Sequence, residues 1–403
     1  MFDVIVVGAR CAGAALAMLV ARQGAKVLLL DRSTFPSDIP HGHFVHRHGP
    51  RRLRSWGLLE RVAVRTPAVS RMVIDFGDFP LRVGNLIEDG LPWGYGPRRT
   101  TLDKILIDAA IESGVEFREG IAVSEYVLTD GRVVGVRGRT STGTEIDERA
   151  TLTVGADGRR SQLARAMDAR IYNHVDTVLC YYFGYWSDVE TEEFELYVRS
   201  QQRRVIFSFR TEDGLFAVFV GAPIEEFAEI RRDINGAFMQ TLDIVPDFAD
   251  RIRAGRQQER YYGASDLPNF YRKPYGPGWA LVGDAGLHKD PFLALGICDG
   301  WRDAELLATA IGEGFAGRRP MDDALADYES QRNAASAADY DQNIQEARFP
   351  PMPPTALALR AAVRNNPEEA TRMIKARNQM IDPGSFFNRE NIGRLLGQSS
   401  TSV

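Results

Sequence analysis

Cysteine is scarce: the 403-residue chain carries three, Cys11, Cys180 and Cys298, widely separated and odd in number. This excludes a disulfide framework and any paired-cysteine zinc spacing, and it fits a reducing compartment. Lysine is thin too, occurring only at positions 26, 104, 273, 289 and 375. A net charge of −5 lacks the basic surplus of a nucleic-acid binder. No uncharged apolar run reaches the roughly 18 residues that span a bilayer. The apolar stretches Val4–Val7 and Ala12–Val20 are broken by Gly8, Arg10 and Gly13, carry Asp3, and lack the basic start of a secretory signal. Neither nucleic acid nor membrane is therefore an expected partner, and a cytoplasmic location is expected. Internal repeats and low-complexity tracts are missing as well. What remains, 44% apolar and 26% charged, is the composition of a globular chain too long for one core, so two joined domains are expected.

The pattern along the chain opens with Phe2–Val7, a β-branched run ending at Gly8 that reads as a buried parallel strand. Cys11–Gln23 has a helical pattern stopped by Gly24, and Lys26–Leu30 is a second buried strand ending at Asp31. Together they make a βαβ unit. Thr100–Ser113 predicts a helix, two strands flank Asp130-Gly131, and the run Ala150–Val154 enters Gly155-Ala156-Asp157-Gly158. From Val178 to Ala222 the period becomes two and aromatic residues crowd in, which predicts an inserted antiparallel sheet. Ala280–Val282 returns to a buried strand ending at Gly283-Asp284; Ile297–Ile311 and Asp322–Ala347 predict helices, and Pro350–Pro354 breaks the chain before a charged helical tail.

Three turns carry chemistry. In the first, Gly8-Ala9-Arg10-Cys11-Ala12-Gly13, Gly8 permits a tight strand-to-helix turn and Gly13 lets the helix start close to the strand. The helix N-terminus would then face a pyrophosphate, and Asp31 could accept hydrogen bonds from ribose hydroxyls. Arg10 stands where a middle glycine is usual. In the second, Gly283-Asp284-Ala285-Gly286 followed by Pro291 and Gly296-Ile297, Asp284 could bind a polyol chain and the amides after Gly296 could face partial negative charge. The third, Asp157-Gly158-Arg159, follows another buried strand and on its own reads as an ordinary turn.

The order of glycine turn and Asp31, Arg99, Asp157-Gly158 and Gly283-Asp284 resembles the FAD-dependent oxidoreductases of the para-hydroxybenzoate hydroxylase fold, the group A flavin monooxygenases, over residues 2–345. The resemblance implies an α/β fold: a Rossmann-like FAD-binding domain with an inserted antiparallel substrate-binding sheet and a helical C-terminus. Its expected boundaries are 1–170 with 265–320 for the FAD domain, 171–264 with 66–98 for the substrate domain, and 321–403 for the helical region. It implies that Gly8, Cys11, Ala12 and Gly13 cradle the cofactor and that Asp31 and Arg32 meet the adenosine ribose. Arg99 would meet the diphosphate or ribityl region, Val123 the adenine through its backbone, and Asp157 the cofactor region. Gly283 and Asp284 would hold the ribityl and phosphate, and Gly296 and Ile297 the pyrimidine edge of the flavin.

Four histidines crowd into His41–His48 without a carboxylate or cysteine, so no metal is expected there. The resemblance places this segment beside the flavin, with Arg47 and His48 as contacts to FAD or substrate. His288 and Lys289 could tune the flavin or simply orient their loop. Trp93, Tyr95, Tyr182, Phe207, Phe209 and Pro291 are the candidate substrate contacts, although alternation turns half of any strand toward the core. The implied reaction is a monooxygenation: NADPH or NADH reduces FAD, O2 adds to give a C4a-hydroperoxide, and oxygen passes to an aromatic or polyketide-like small molecule by hydroxylation or epoxidation. Because the reactive species belongs to the cofactor, no nucleophile or acid–base dyad is expected. The alternative is an isoprenoid (geranylgeranyl-type) reductase, which shares the glycine turn and the Gly-Asp motif. A flavin halogenase is disfavoured, since no lysine lies within Val27–Asp103 and no Trp-x-Trp occurs. A non-catalytic flavoprotein is the reading from a different class.

Overall fold

The computed structural model describes residues 1–38 and 41–399. The chain is α/β and divides into two units, each drawn from three segments: 1–43, 98–176 and 267–344 in the first, and 44–97, 177–266 and 345 onward in the second. This division differs from the expected boundaries. Residues 44–65 fall in the second unit, and 321–344 cluster with the first rather than with the tail. The physical reason for the latter is polar. The helix Met321–Ala347 buries Tyr328 and Arg332, and their side chains bond the carbonyls of Leu281 and Gly286 at 2.9 and 3.2 Å.

The first unit is built on a sheet ordered Glu116–Arg118, Val27–Leu30, Phe2–Val7, Glu145–Gly155, Arg132–Thr140, Ile121–Thr129, with Trp279–Leu281 also paired to Glu145–Gly155. The strands at its centre run parallel. They are continuous apolar runs because parallel strands are covered on both faces, and Val27–Leu30 is buried throughout. The expected βαβ unit forms with helix Cys11–Ala21, and the helix after residue 98 spans Arg99–Glu112. Asp130 and Gly131 both take positive φ, the requirement of a two-residue hairpin turn of the primed type. One core cluster joins Ile5, Leu28, Val133, Leu163 and Leu281, all at 0% exposure.

The second unit carries the aromatic sheet, in the order Arg256–Gln257, Leu179–Ser187, Phe216–Pro223, Arg204–Arg210, Phe194–Arg199, Met72–Asp75, Leu81–Val83. Period two separates its side chains cleanly. Cys180, Tyr182, Trp186, Ile206, Val218 and Val220 pack with Phe238, Phe248 and Ile252 of helices Ile234–Leu242 and Pro246–Ala254. On the other face Phe183, Phe219 and Phe207 stack, with ring centroids 4.5 and 4.6 Å apart. After Pro350 the tail is helical over Pro354–Val363, Pro367–Arg377 and Arg389–Ser399, and residues 400–403 lie outside the described residues. Among the described residues no helix is long and apolar enough to cross a membrane.

Candidate functional site

The first unit gathers the glycine turn and the acidic turns on one side of its parallel sheet. Gly8 has φ +107°, and a Cβ there would lie 2.4 Å from the Ala156 carbonyl oxygen. A Cβ on Gly13 would lie 1.8 Å from the Gly8 carbonyl oxygen and 2.9 Å from the Ala156 side chain. Strand end, helix start and the 156–157 turn therefore touch at distances that only glycine allows. Helix Cys11–Ala21 starts there, leaving its first N–H groups without intrahelical acceptors and its positive end open to an anion. Asp31 clamps the turn. One carboxylate oxygen accepts the Ala9 N–H and the other the Ser33 N–H, both at 2.8 Å. Each oxygen keeps a lone pair for a hydroxyl donor. Arg32 beside it is exposed, whereas the Val123 side chain is core and its backbone adjoins a strand irregularity.

Arg10, in place of the usual middle glycine, sends its side chain away from the turn. Its guanidinium bonds the Ser37 hydroxyl at 3.1 Å and Asp103 at 2.9 Å, and lies 5.3 Å from the Phe35 ring centre. Asp103 is the residue that sequence reasoning missed. Fully buried, it also pairs with Arg99 at 2.9 Å and accepts the Cys11 thiol at 3.2 Å. The available signal was a carboxylate four positions after Arg99 on a helix, beside the apolar Leu102 and Leu106. Burial alone would drag the Arg99 guanidinium down, but Asp103 against it, with Asp284 further off, lifts it above its ordinary value. Burial pushes the Cys11 thiol far up, with Asp103 adding to the effect, so Cys11 is a packed neutral group. Desolvation, and after it Arg99, with Arg159 and Arg10 adding and Asp284 opposing, pulls the nearby His41 imidazole down to about 4.

Gly283 and Asp284 form the turn after Trp279–Leu281, and a Cβ on Gly283 would lie 2.8 Å from that of Ala12. The two glycine motifs, about 270 positions apart in sequence, are thus in contact. Helix Gly296–Phe315 begins at an exposed Gly296 with open space around it, followed by a half-buried Ile297. Asp157 spends one carboxylate oxygen on the Gln162 N–H at 2.7 Å, serving its own turn, and burial pushes its carboxyl up. His288 is buried and donates Nδ1–H to the Pro268 carbonyl at 2.5 Å while stacking on Phe270. Lys289 pairs with Asp299 at 2.7 Å, and Asp299 is held in turn by Arg302 at 2.8 Å. In this structure both residues anchor the loop to the sheet and the helix. Pro291 opens the single 3-10 turn that follows.

The remaining candidates belong to the second unit. Trp93 and Phe44 lie 5.0 Å apart, Trp93 and Phe194 4.8 Å, and Phe44 and Phe209 4.9 Å, with His46 5.2 Å from Trp93. Phe209 continues into the Phe219 and Phe207 stack. Tyr95 is buried in a short strand beside them. Tyr182 does not join this group: alternation assigns it to the opposite face, in the core beneath the helices, where its ring stacks on Phe227. Arg47 holds φ +53° just before helix Gly49–Trp56, and His48 is that helix's exposed N-cap residue. The four histidines thus part company. His41 and His48 reach solvent, His43 and His46 are buried, and the His48 imidazole is held down by its partial burial and by Arg52.

This geometry can hold an anion-bearing dinucleotide. A cradle too tight for any Cβ meets a helix N-terminus, a carboxylate stands at the end of the second strand, and two guanidinium groups, Arg10 and Arg99, share the buried Asp103 beside the turn. Comparison with known proteins agrees. The family model described as FAD binding domain matches residues 1–343. Curated relatives include a tryptophan 2-halogenase of Chondromyces crocatus, 25% identical over 81% of this chain; the match spans 64% of that protein, just under two thirds of its length. Digeranylgeranylglycerophospholipid reductase 1 of Methanopyrus kandleri is 26% identical over 73% of this chain and 76% of its own. A probable NADH-specific resorcinol 4-hydroxylase of Rhodococcus jostii is 26% identical over 88% of this chain and 67% of its own. Among solved structures, the myxobacterial chondrochloren halogenase superposes with a TM-score of 0.79 at 21% identity, covering 99% of this chain and 96% of that one. With more than four fifths of its length matched, the chain belongs to the FAD-binding-domain family of the para-hydroxybenzoate hydroxylase type, and it is an FAD-dependent oxidoreductase.

Proposed function

We propose that this oxidoreductase is a monooxygenase that uses NADPH or NADH and O2 to oxygenate an aromatic or polyketide-like small molecule. The observation that carries the flavin part is the contact between the two glycine motifs at Ala12 and Gly283, beside the Arg10–Asp103–Arg99 cluster. Gly8 to Gly13 would take the pyrophosphate, Asp31 the ribose, Arg99 and Arg159 the phosphate charge, Asp284 the ribityl hydroxyls, and the start of helix Gly296–Phe315 the pyrimidine edge. When bound, FAD supplies the redox chemistry, accepting hydride from the nicotinamide and passing electrons to O2. The chain's own task is then binding, orientation and exclusion of water. Outside the glycine cradle no second dinucleotide turn follows a strand in the sequence, which fits a nicotinamide that visits rather than stays.

The hydroxylase relative supports oxygenation, and the lack of lysine within Val27–Asp103 argues against halogenation. Product formation from a panel of phenols and polyketide-like aromatics tests the reading. It expects oxygenated product that requires both reductant and O2 and is indifferent to chloride or bromide. Reduced product formed without O2 would establish the reductase reading, and a halogenated product the halogenase one. The same panel assayed with NADH and with NADPH decides the reductant.

A further inference from the structure

Within the second unit, the segment Trp93–Gly96 reads Trp-Gly-Tyr-Gly, and its backbone is held on both sides of the indole. Pro92 pairs with Ile87, while Gly94 pairs with His46 on one side and Val69 on the other. A Cβ on Gly94 would lie 2.7 Å from the Val45 carbonyl oxygen. One on Gly96 would lie 2.5 Å from the Phe209 ring and 2.7 Å from the Arg210 carbonyl oxygen. The Thr211 hydroxyl donates to the Gly96 carbonyl at 2.6 Å. Neither glycine has room for a side chain, so the backbone lies flush on its neighbours and fixes where Trp93 stands. The indole is 4% exposed and packs among Phe44, Phe194 and His46, meeting Phe194 edge-on at 88°. Within that packing its Nε1–H is buried and finds no acceptor among the described residues. Buried donors left unpaired are rare in folded proteins, and this one is held where it cannot seek a partner in the chain. An indole N–H only donates, so the missing partner is an acceptor.

We propose that Trp93 is a specificity-determining residue: its N–H donates to an oxygen of an aromatic substrate whose ring lies against Phe44, Phe194 and Phe209. The proposal rests on the monooxygenase reading above and narrows its substrate to planar aromatics bearing a carbonyl, ether or phenolic oxygen. The rings supply flat apolar contact, and the single N–H sets which edge of the ligand turns toward it. A site built around a buried donor discriminates against a ligand that leaves that donor unpaired. The hydrocarbon length of an isoprenoid chain carries no acceptor, so the same feature that selects an oxygenated aromatic disfavours the chain.

The test is equilibrium dialysis of the FAD-loaded protein against acetylnaphthalene and ethylnaphthalene, near-equal in shape, of which only the first carries an acceptor oxygen. Wild type should bind acetylnaphthalene about tenfold more tightly. Trp93→Phe keeps a ring and removes the N–H, so it should bind the two alike, with FAD content unchanged. A residue that only packs would, on the same change, weaken both ligands and leave their ratio as it was. Should Trp93→Phe not fold, the indole N–H resonances of isotope-labelled wild type carry the test. One of the five tryptophans should then shift downfield with acetylnaphthalene and stay in place with ethylnaphthalene. Equal binding of the two by wild type, binding of neither, or a preference retained by Trp93→Phe overturns the proposal. The monooxygenase reading survives any of these if the phenol and polyketide-like panel is still oxygenated. A protein that binds neither naphthalene, takes geranylgeraniol instead and oxygenates none of the panel overturns both.

Discussion

At the scale of single residues, one methyl group separates a working glycine turn from a broken one. Alanine in place of a helical glycine ordinarily stabilises by about 0.4–1 kcal/mol through the unfolded state. At position 13 the sign should reverse, because the new Cβ would sit 1.8 Å from the Gly8 carbonyl oxygen and the backbone would have to part. Gly13→Ala is therefore expected to melt at lower temperature than wild type and to lose FAD; a variant that melts higher and keeps its flavin would contradict this geometry. Asp284 offers a milder case, since it is half-buried and its change leaves the turn backbone intact. Loss of a charge-assisted hydrogen bond to the ribityl chain would cost roughly 1.5–3 kcal/mol. Asp284→Ala should thus weaken FAD about 10- to 150-fold in a fluorescence titration. Unchanged affinity would remove Asp284 from the site.

At the scale of elements, the helix Met321–Ala347 acts as a brace. Arg332 is fully buried and donates to the carbonyls of Gly286 and Arg272 at 3.2 and 3.1 Å and to the Tyr172 hydroxyl at 2.9 Å. Asn343 accepts the Leu293 N–H and donates to the Asp290 carbonyl, holding the next turn as well. Arg332→Leu strips buried carbonyls of their donor, so it should destabilise by about 2–4 kcal/mol in thermal or urea unfolding. A change under half a kcal/mol would show that the helix merely lies against the turn. The brace also marks the limit of what the sequence discloses. Gly8 to Asp31 and Gly283-Asp284 were legible because their spacing is local: a strand, a turn and a helix written in consecutive residues. Asp103 was not, since its pairing with Arg10 and Arg99 arises where the first helix and the helix Arg99–Glu112, from distant segments, meet. Tyr182 was named as a substrate contact and lies in the core instead, because period two states that neighbours alternate, but not which face the helices Ile234–Leu242 and Pro246–Ala254 will cover. The aromatic cluster of Phe44, Trp93, Phe194 and Phe209 was half visible: Trp93 and Phe209 stood out in the sequence, while Phe194 was passed over and Phe44 hid inside the histidine run.

At the scale of the whole molecule, each unit has its own hydrophobic cluster, and the residues proposed to hold FAD, from Gly8 to Ile297, belong to the first unit. A ligand that binds only the folded form stabilises by mass action, by about 2.7 kcal/mol at one hundred times its Kd. Removing FAD should therefore lower the melting temperature, and adding it back in excess should restore it in proportion to the logarithm of its concentration. A melting temperature indifferent to FAD would mean that the cofactor does not select the folded first unit. The interleaving of three segments in that unit has a further consequence during synthesis. The strand Trp279–Leu281 pairs beside Glu145–Gly155, and its Gly283 turn meets Ala12, so the early half of the cradle must wait for chain that emerges from the ribosome much later. At about 5–20 residues per second, the interval between translating Ala12 and Gly283 is on the order of ten seconds to a minute. Through that interval Phe2–Val7 and Val27–Leu30 can pair with Glu145–Gly155 and Glu116–Arg118, but Glu145–Gly155 lacks its neighbour Trp279–Leu281, so chaperone occupancy of the growing chain should persist until the Gly283 turn has been exposed, and flavin capture should not precede that exposure.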